Sequence, residues 1–287
     1  MALVGGAVRS ARRSSAGWWL GLAAGAGTVV ASIAGISTDV YRQEAPSWAA
    51  QGTGQDTANL LVAVPGLLWA AYAQAKGSVR ARLVWIGLLL YLTYSYLLYS
   101  LFVHFQAWFV LYVATLGLSF YAMVLSVASL DEQQAYRDLG IRRRRGLGAY
   151  LIASGTVFVA LWLPEIVPAA LQGTSPPSAA EVGFPVNPVH VLDLAFILPA
   201  VIAAGVLNWR GHRWGLLLGV PLLTFSVVMG AAILMMMESM YARSLPFAWP
   251  PVVAMSVVVV FGAGMLARVL AQPCPVPAQA TQQAPTR

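Results

Sequence analysis

Long apolar runs separated by short polar segments recur along this chain. Each run is close to the roughly 20 residues that an α-helix needs to cross a bilayer. None shows the two-residue alternation of a barrel strand, and a helix satisfies its own backbone groups in lipid. The pattern predicts eight transmembrane helices, at residues 17–36, 58–75, 83–103, 107–130, 147–164, 188–207, 214–237 and 247–266.

Composition agrees with this pattern. The 287 residues are 59% hydrophobic and 9% charged, whereas an ordinary soluble domain carries roughly a quarter charged residues. We therefore expect an all-α polytopic bundle that forms one transmembrane domain over residues 17–271. A basic tail, 1–16, precedes it, and a tail rich in Pro, Ala and Gln, 272–287, is too polar to form a core.

Basic residues indicate the orientation, because they are enriched in cytoplasmic loops. With the N-terminus in the cytoplasm, every one of the 17 basic residues except Arg42 and Arg243 falls on the cytoplasmic side. Both termini are then cytoplasmic. The abundance of Arg, Ala and Gly favours a bacterial chain in the cytoplasmic membrane.

The net charge of +7 reflects topology and does not indicate nucleic-acid binding. The run Arg142, Arg143, Arg144 and Arg145 predicts contact with anionic lipid head groups, and the bilayer is the expected partner. Gly21 and Gly25 have GxxxG spacing, which is typical of close packing within a bundle and is also compatible with a homo-oligomer.

Ionisable groups inside the apolar runs are the candidates for chemistry. In "VNPVHVLDLAFILPA", Asn187 is suited to cap a helix that begins at Pro188. His190 and Asp193 follow at three-residue steps and share a face with Asn187. Intramembrane ionisable residues are functional candidates by default. A structural hydrogen bond, such as one from His190 to Asp193, is equally compatible with the pattern.

Three further groups lie at outer helix ends. Glu165 stands between Pro164 and Pro168, where two prolines open the helical hydrogen-bond ladder. His104 ends the third run. Asp56 begins the second run, and we favour a helix cap there because a carboxylate stabilises a helix N-terminus.

Structural roles are the favoured interpretation for several other side chains. Two polar stripes are visible, one of Tyr96, Ser100 and His104 and one of Tyr112, Thr115 and Ser119. Tyr96, Tyr99 and Tyr112 also fit an aromatic belt at the outer membrane interface. The Met235–Met240 cluster offers thioethers that suit Cu(I), but apolar filling is the favoured interpretation. Phosphate-loop, zinc-protease and dinucleotide motifs are absent from the sequence, and no metal or cofactor is predicted.

A faint internal repeat is visible. "VRARLVWIGLLL" before the third run resembles "RGHRWGLLLGV" before the seventh, and Asp56 and Asp193 precede Pro65 and Pro199 in the second and sixth runs. A parallel duplication of four helices preserves orientation in this way.

The segments "YRQEAPSW…QGTGQDTANLLVAVP", "YLTYSYLLYSLF…FVLYVATLGLS" and "NPVHVLDLAFILPA" resemble a group of bacterial multi-pass proteins described only as hypothetical integral membrane proteins. The resemblance spans most of residues 17–270. It implies a multi-pass bacterial membrane protein and carries no activity, substrate or catalytic residue.

The leading functional hypothesis is an outward-facing polar pocket that binds or translocates a small ligand or a proton. Its predicted members are His190, Asp193, Glu165 and His104, with Asp56 at the rim and Asn187 at the head of the same helix. One alternative is a membrane enzyme that acts on a lipid or isoprenoid with a buried carboxyl as general acid. Another is a membrane scaffold or assembly factor.

Overall fold

The protein is an all-α polytopic bundle. A computed structural model describes residues 2–139, 144–247 and 249–272. Within these ranges there is no strand, and eight helices are long and apolar enough to cross a membrane. The spans are Ser15–Ser37, Pro46–Ala75, Val79–Phe102, Phe109–Ala128, Arg145–Gln172, Pro188–Trp209, Arg213–Ala242 and Trp249–Ala271. The fold class and the number of spans predicted from the sequence are confirmed.

Two spans contain a π-helical turn in their middle, and two short helices lie in loops. The helices are α1 (Ala2–Ser37), α2 (Pro46–Ala58), α3 (Val64–Ala75), α4 (Val79–Phe102), α5 (Phe109–Ala128), α6 (Glu132–Leu139), α7 (Arg144–Gln172), α8 (Pro177–Val182), α9 (Pro188–Leu192), α10 (Leu198–Trp209), α11 (Arg213–Ala242) and α12 (Trp249–Ala271). The first π segment, Asn59–Ala63, joins α2 to α3, and the second, Asp193–Ile197, joins α9 to α10.

The second span begins much earlier than its apolar run predicts. The run starts at residue 58, but the helix starts at Pro46. The added segment, "PSWAAQGTGQDT", is too polar for a lipid-facing helix, yet Trp48, Gln55 and Asp56 within it are buried. Packing inside the bundle therefore stabilises a helix that hydropathy alone does not reveal.

Helices α4 and α11 form the centre of the bundle and are the most deeply buried spans. They cross where Gly87 of α4 lies against Pro221 of α11, and a Cβ at Gly87 would collide with the Pro221 carbonyl oxygen. Glycine thus permits a backbone contact at this crossing.

The chain repeats its own architecture with a spacing of 134 residues. The π segments begin at Asn59 and Asp193 (193 − 59 = 134), and α3 and α10 follow each of them directly. The helices α4 and α11 begin at Val79 and Arg213, after turns that contain the positive-φ residues Gly77 and Gly211. These boundaries keep the same spacing, so spans one to four and spans five to eight form two parallel halves. Gly87 and Pro221 are also equivalent positions, which places the central crossing between the halves.

The two halves differ in how their outer helices pair. In the first half, α1 packs along α5, and a Cβ at Gly17 would stand 3.2 Å from the Leu125 side chain. In the second half the equivalent helices, α7 and α12, touch only slightly. The second half is therefore the more open of the two.

At the end that the charge pattern assigns to the cytoplasm, arginines bind carbonyl groups. Arg80 donates to the carbonyl of Leu139, and Arg82 donates to Ser126 and Ser129. Arg142 and Arg143 lie outside the described residues, and Arg145 is exposed.

The GxxxG motif of α1 packs within the chain. Gly21 lies against the Trp85 ring, and Gly25 lies against Leu67. Both small residues allow α1 to approach the two neighbouring helices closely.

Candidate functional site

Asp193 is held by aromatic donors from two other helices. Tyr94 Oη of α4 donates to Oδ1 at 3.0 Å, and Trp162 Nε1 of α7 donates to Oδ2 at 3.1 Å. Among the described residues no cation forms an ion pair with this carboxyl. A carboxyl within a membrane is costly unless it is hydrogen-bonded or paired. Each oxygen can accept more than one hydrogen bond, so Asp193 retains the capacity to bind a donor on a ligand.

His190 lies one helical turn before Asp193, and Trp162 contacts both residues. The His190 ring lies against the Trp162 ring, with 4.8 Å between their centroids and 46° between their planes. His190 Nε2 is buried and has no hydrogen-bond partner in the described part of the chain. The hydrogen bond from His190 to Asp193 that the sequence allows does not form, and Tyr94 and Trp162 are the donors to this carboxyl.

Asn187 caps the helix as its position predicts. Its Oδ1 accepts from the backbone N–H of Val189 at 3.0 Å, and Pro188 is the first residue of α9. Its Nδ2 donates to Ser178 Oγ at 3.2 Å. Glu165 Oε1 accepts from the backbone N–H of Ser178 at 2.7 Å. Asn187 and Glu165 therefore fix α8 between α7 and α9.

His104 lies away from this cluster. The helix α4 ends at Phe102, so His104 falls in the following loop, with just over half of its side chain exposed. Its Nδ1 is 3.1 Å from Glu44 Oε2, and its backbone N–H donates to Glu44 Oε1 at 2.7 Å. His104 thus connects two outer loops, whereas the sequence analysis groups it with His190 and Asp193.

A cavity of about 100 Å³ lies beside Asp193, with α4 on one side and with α7, α10, α11 and α12 forming most of its wall. Its lining residues on α4 and α11 lie beyond Gly87 and Pro221, so it sits on the outer side of their crossing. Its polar groups include Asp193, Tyr94, Gln55 and Ser95, but its surface is mostly apolar. At about 100 Å³ the cavity is smaller than one of roughly 150 Å³ that holds a benzene molecule, so it suits one polar group with a few apolar carbon atoms.

Asp56 lies in a second polar cluster, in the first half of the molecule. It is completely buried, and it accepts hydrogen bonds from Tyr41 Oη at 2.6 Å and from Tyr99 Oη at 3.1 Å. Burial, and next the nearby Asp56 carboxylate, raise the pKa of Tyr41 well above its ordinary range, so that hydroxyl remains a donor. A Cβ at Gly35 would collide with the Asp56 carboxyl.

The favoured helix cap at Asp56 is wrong. The helix α2 begins at Pro46, and Asp56 lies in its last turn. The expected aromatic belt is also wrong, because Tyr96, Tyr99 and Tyr112 are buried. These rings surround the Asp56 cluster and contact one another.

A chain of hydrogen bonds connects the Asp56 cluster with the wall of the cavity. Gln55 Nε2 donates to Tyr91 Oη at 2.7 Å and to Ser95 Oγ at 2.9 Å. Tyr91 Oη donates to Asn59 Oδ1 at 2.9 Å, and Asn59 Nδ2 donates to Ser32 Oγ at 3.0 Å. Gln55, next to Asp56 in the chain, therefore belongs to both regions.

A smaller cavity, of about 30 Å³, lies between the Asp56 cluster and the outer loops. Tyr41 and Tyr99, the two donors to Asp56, line it. It shares a wall with the central cavity. The shared side chains are Gln55, Ser95, Leu98 and Met236.

The 134-residue repeat shows which polar residues occupy equivalent positions in the two halves. At the spacing of 134 residues, Asp193 corresponds to Asn59, and His190 corresponds to Asp56. The pairing of Asp56 with Asp193 predicted from the sequence is therefore three residues out of register. Each half thus places a polar residue at the start of its π segment and an ionisable one a turn earlier.

Comparison with family models, with curated proteins and with solved structures finds no match to this chain. The geometry described above is therefore the basis for a functional proposal.

Sequence reasoning missed the groups that hold the carboxyls. Tyr94 and Trp162 at Asp193, and Tyr41 at Asp56, come from elements distant in the chain. The visible signal was the run of polar side chains in the middle of the third apolar segment, "YLTYSY" at residues 91–96. Hydroxyl groups at that depth need internal partners.

Proposed function

We propose that this membrane protein binds a small ligand in the cavity between its two halves, with Asp193 accepting a hydrogen bond from the ligand, and that it carries the ligand across the bilayer. The observation that carries this proposal is the position of a hydrogen-bonded carboxyl at a mostly apolar cavity inside the bundle.

The position of the cavity supports transport. Many secondary transporters are built from repeats and bind their substrates at the repeat interface, near discontinuous helices. Here the second half forms most of the cavity wall, and α4 and Gln55 of the first half close it, so the cavity lies where the two halves meet. The second π segment begins at Asp193 itself. Interrupted helices of this kind are frequent at functional sites.

The binding part is tested by native mass spectrometry on protein purified in a mild detergent. We expect wild-type protein to retain a bound mass, and Asp193→Asn to lose at least 90% of its occupancy, because the amide presents one acceptor in place of two. Glu181→Gln, in the outer helix α8, removes a carboxylate at a distance from the cavity and should retain the ligand. Equal occupancy in wild type and Asp193→Asn would refute the role of Asp193.

Transport is tested with the identified ligand in sealed vesicles. Flux should be present for wild type and reduced at least tenfold for Asp193→Asn. Binding without flux would restrict the function to a ligand-binding protein.

A membrane enzyme acting on a lipid or isoprenoid is the second candidate. The specific observation in its favour is that a carboxyl, a possible general acid, faces mostly apolar walls. In that case the bound molecule would change mass on incubation with wild-type protein but not with Asp193→Asn. An unchanged mass in both supports transport.

A further inference from the structure

We infer that the ligand of the central cavity is derived from a lipid, with a hydrocarbon chain and one hydrogen-bond-donating head group, and that it enters from the membrane between α7 and α12. This inference rests on the proposed function and specifies its substrate class and route.

The apolar walls of the cavity support a ligand with a hydrocarbon chain. Phe158 from α7, with Met255 and Val258 from α12, forms the side of the cavity that faces away from the central helices. Ile233 and Val201 extend the apolar surface. A hydrocarbon chain gains free energy in such surroundings without needing polar partners. Because the cavity holds only the first few carbon atoms, the rest of the chain must extend between α7 and α12 to the bilayer.

The hydrogen bonds that Asp193 accepts indicate which kind of head group the ligand carries. Both oxygens of Asp193 accept hydrogen bonds, from Tyr94 and from Trp162. A ligand that binds Asp193 as a carboxylate must therefore supply a donor, such as a hydroxyl or an amine. One such group matches the small polar region of the cavity.

The route is suggested by the way α7 and α12 are joined. Tyr150 Oη of α7 donates to the carbonyl of Val258 at 2.8 Å, and Tyr150 also lies against Gly262. Tyr150 lies in the inner part of α7. Phe158 lies about 12 Å closer to the outer end of this helix, at 1.5 Å per residue. No other hydrogen bond joins α7 to α12 among the described residues, and apolar side chains close the rest of the space between the two helices.

Those side chains form a small apolar cluster of their own. Phe158, Leu198, Met255 and Val258 are each less than 10% exposed and are separate from the main core. On the membrane side, Val157 of α7 and Val257 of α12 are exposed. A chain that moves from the bilayer into the cavity would therefore need to displace side chains only, and would meet no charged residue among those named here.

The first half shows the closed form of the same arrangement. There α1 and α5 are in close contact, with Gly27 of α1 against Thr115 of α5. The slight contact between α7 and α12 is thus a specific difference between the halves and not a general property of the fold.

The test uses two photoactivatable probes in phosphatidylcholine vesicles that contain the full-length protein. One is a diazirine-bearing hexadecanol, which partitions into the bilayer, and the other is a short, water-soluble diazirine alcohol. Peptide mass spectrometry locates the insertion sites. We expect the long probe to label cavity residues such as Ser154, Ser226 and Met229, and the short probe to label them at least fivefold less.

Opening the route should increase this labelling. Phe158→Ala and, independently, Met255→Ala should each raise insertion of the long probe at cavity residues about threefold or more. Leu163→Ala, at a lipid-exposed position of the same helix, should match wild type. Phe158→Leu is a milder variant to be used if Phe158→Ala does not fold, with the same direction expected.

The route is refuted if the long probe labels only lipid-facing residues such as Val253 and Val257, or if the short probe labels the cavity as strongly. It is also refuted if neither Phe158 nor Met255 variants change the labelling. These outcomes are distinguishable from failure of the proposed function, because that failure appears as ligand retention by Asp193→Asn in a separate measurement.

Discussion

At the scale of single residues, the two deeply placed aspartates are accommodated by uncharged donors. Tyr41 and Tyr99 bind Asp56, while Tyr94 and Trp162 bind Asp193. An aromatic donor combines an apolar ring with one polar group, so it can satisfy a carboxyl without adding another charge to the membrane interior. The hydroxyl groups of α4 therefore contribute directly to both clusters.

Removing one of these donors should weaken the protein. Tyr99→Phe leaves Asp56 Oδ1 without its hydroxyl donor, and hydrogen bonds to charged groups contribute about 1.5 to 3 kcal/mol. We expect the free energy of unfolding to fall by that amount, as measured by denaturant titration in detergent micelles. Tyr121→Phe, at an exposed position of α5, is the matched control and should change stability by less than about 0.5 kcal/mol. Equal stability of the two variants would contradict the role of Tyr99.

The sequence could place the acids but not their partners. Asn187 and Pro188 form a local signal, so the start of α9 was predictable. Tyr94 and Trp162 bind Asp193 from positions 99 and 31 residues away. Such pairs depend on the way helices pack, which hydropathy does not encode.

At the scale of elements, the π segments are the feature that the sequence did not reveal. Pro65 and Pro199 disturb the helical ladder locally, since proline cannot donate to it. Each lies at the second position of the helix that follows a π segment. The wider π turn itself leaves no signature in the apolar pattern, because its residues remain those of a lipid-compatible helix. The polar residue that begins each segment, Asn59 or Asp193, becomes significant only in the structure.

Helix packing can be tested at two glycines that differ in their surroundings. A Cβ at Gly21 would collide with the Trp85 ring, whereas nothing lies within 4 Å of a Cβ at Gly117. We expect Gly21→Ala to lower the free energy of unfolding by about 1 to 3 kcal/mol because it overpacks the interface between α1 and α4. Gly117→Ala should leave it unchanged or raise it by up to about 1 kcal/mol through helix propensity. The same denaturant titration measures both, and a destabilisation of similar size at both positions would argue against close packing at Gly21.

At the scale of the whole molecule, the repeat organises the bundle. The number of spans and their order follow from the sequence, because each crossing needs a long apolar run. The faint similarity between the halves also indicated a duplication, but its register was wrong by three residues at the candidate site. The correct register depended on turns and helix starts, such as those at Gly77 and Gly211. The cavity was not predictable, because it results from a difference in packing between equivalent helices.

The crossing of the halves predicts a sensitive position. Gly87→Ala places a methyl group against the backbone of Pro221, which has no flexible side chain that could move aside. We expect a loss of about 2 kcal/mol or more in the free energy of unfolding, in the range of overpacking substitutions. Gly264→Ala, where nothing lies within 4 Å of the new Cβ, is the control. If both variants melt at the wild-type temperature, the halves are not in backbone contact at Gly87.

The short inner turns have a mechanical consequence. The turn at residues 76–78 joins α3 to α4, and the turn at residues 210–212 joins α10 to α11, so each pair of helices forms a tightly connected hairpin. The pivot at Gly87 is about 12 Å from the inner end of α4 and about 22 Å from its outer end, at 1.5 Å per residue. A rotation of about 10° at this pivot displaces the outer ends by roughly 4 Å and the inner ends by roughly 2 Å. Any rotation about Gly87 would therefore move the ends of the helices on the side of the cavity further than the opposite ends.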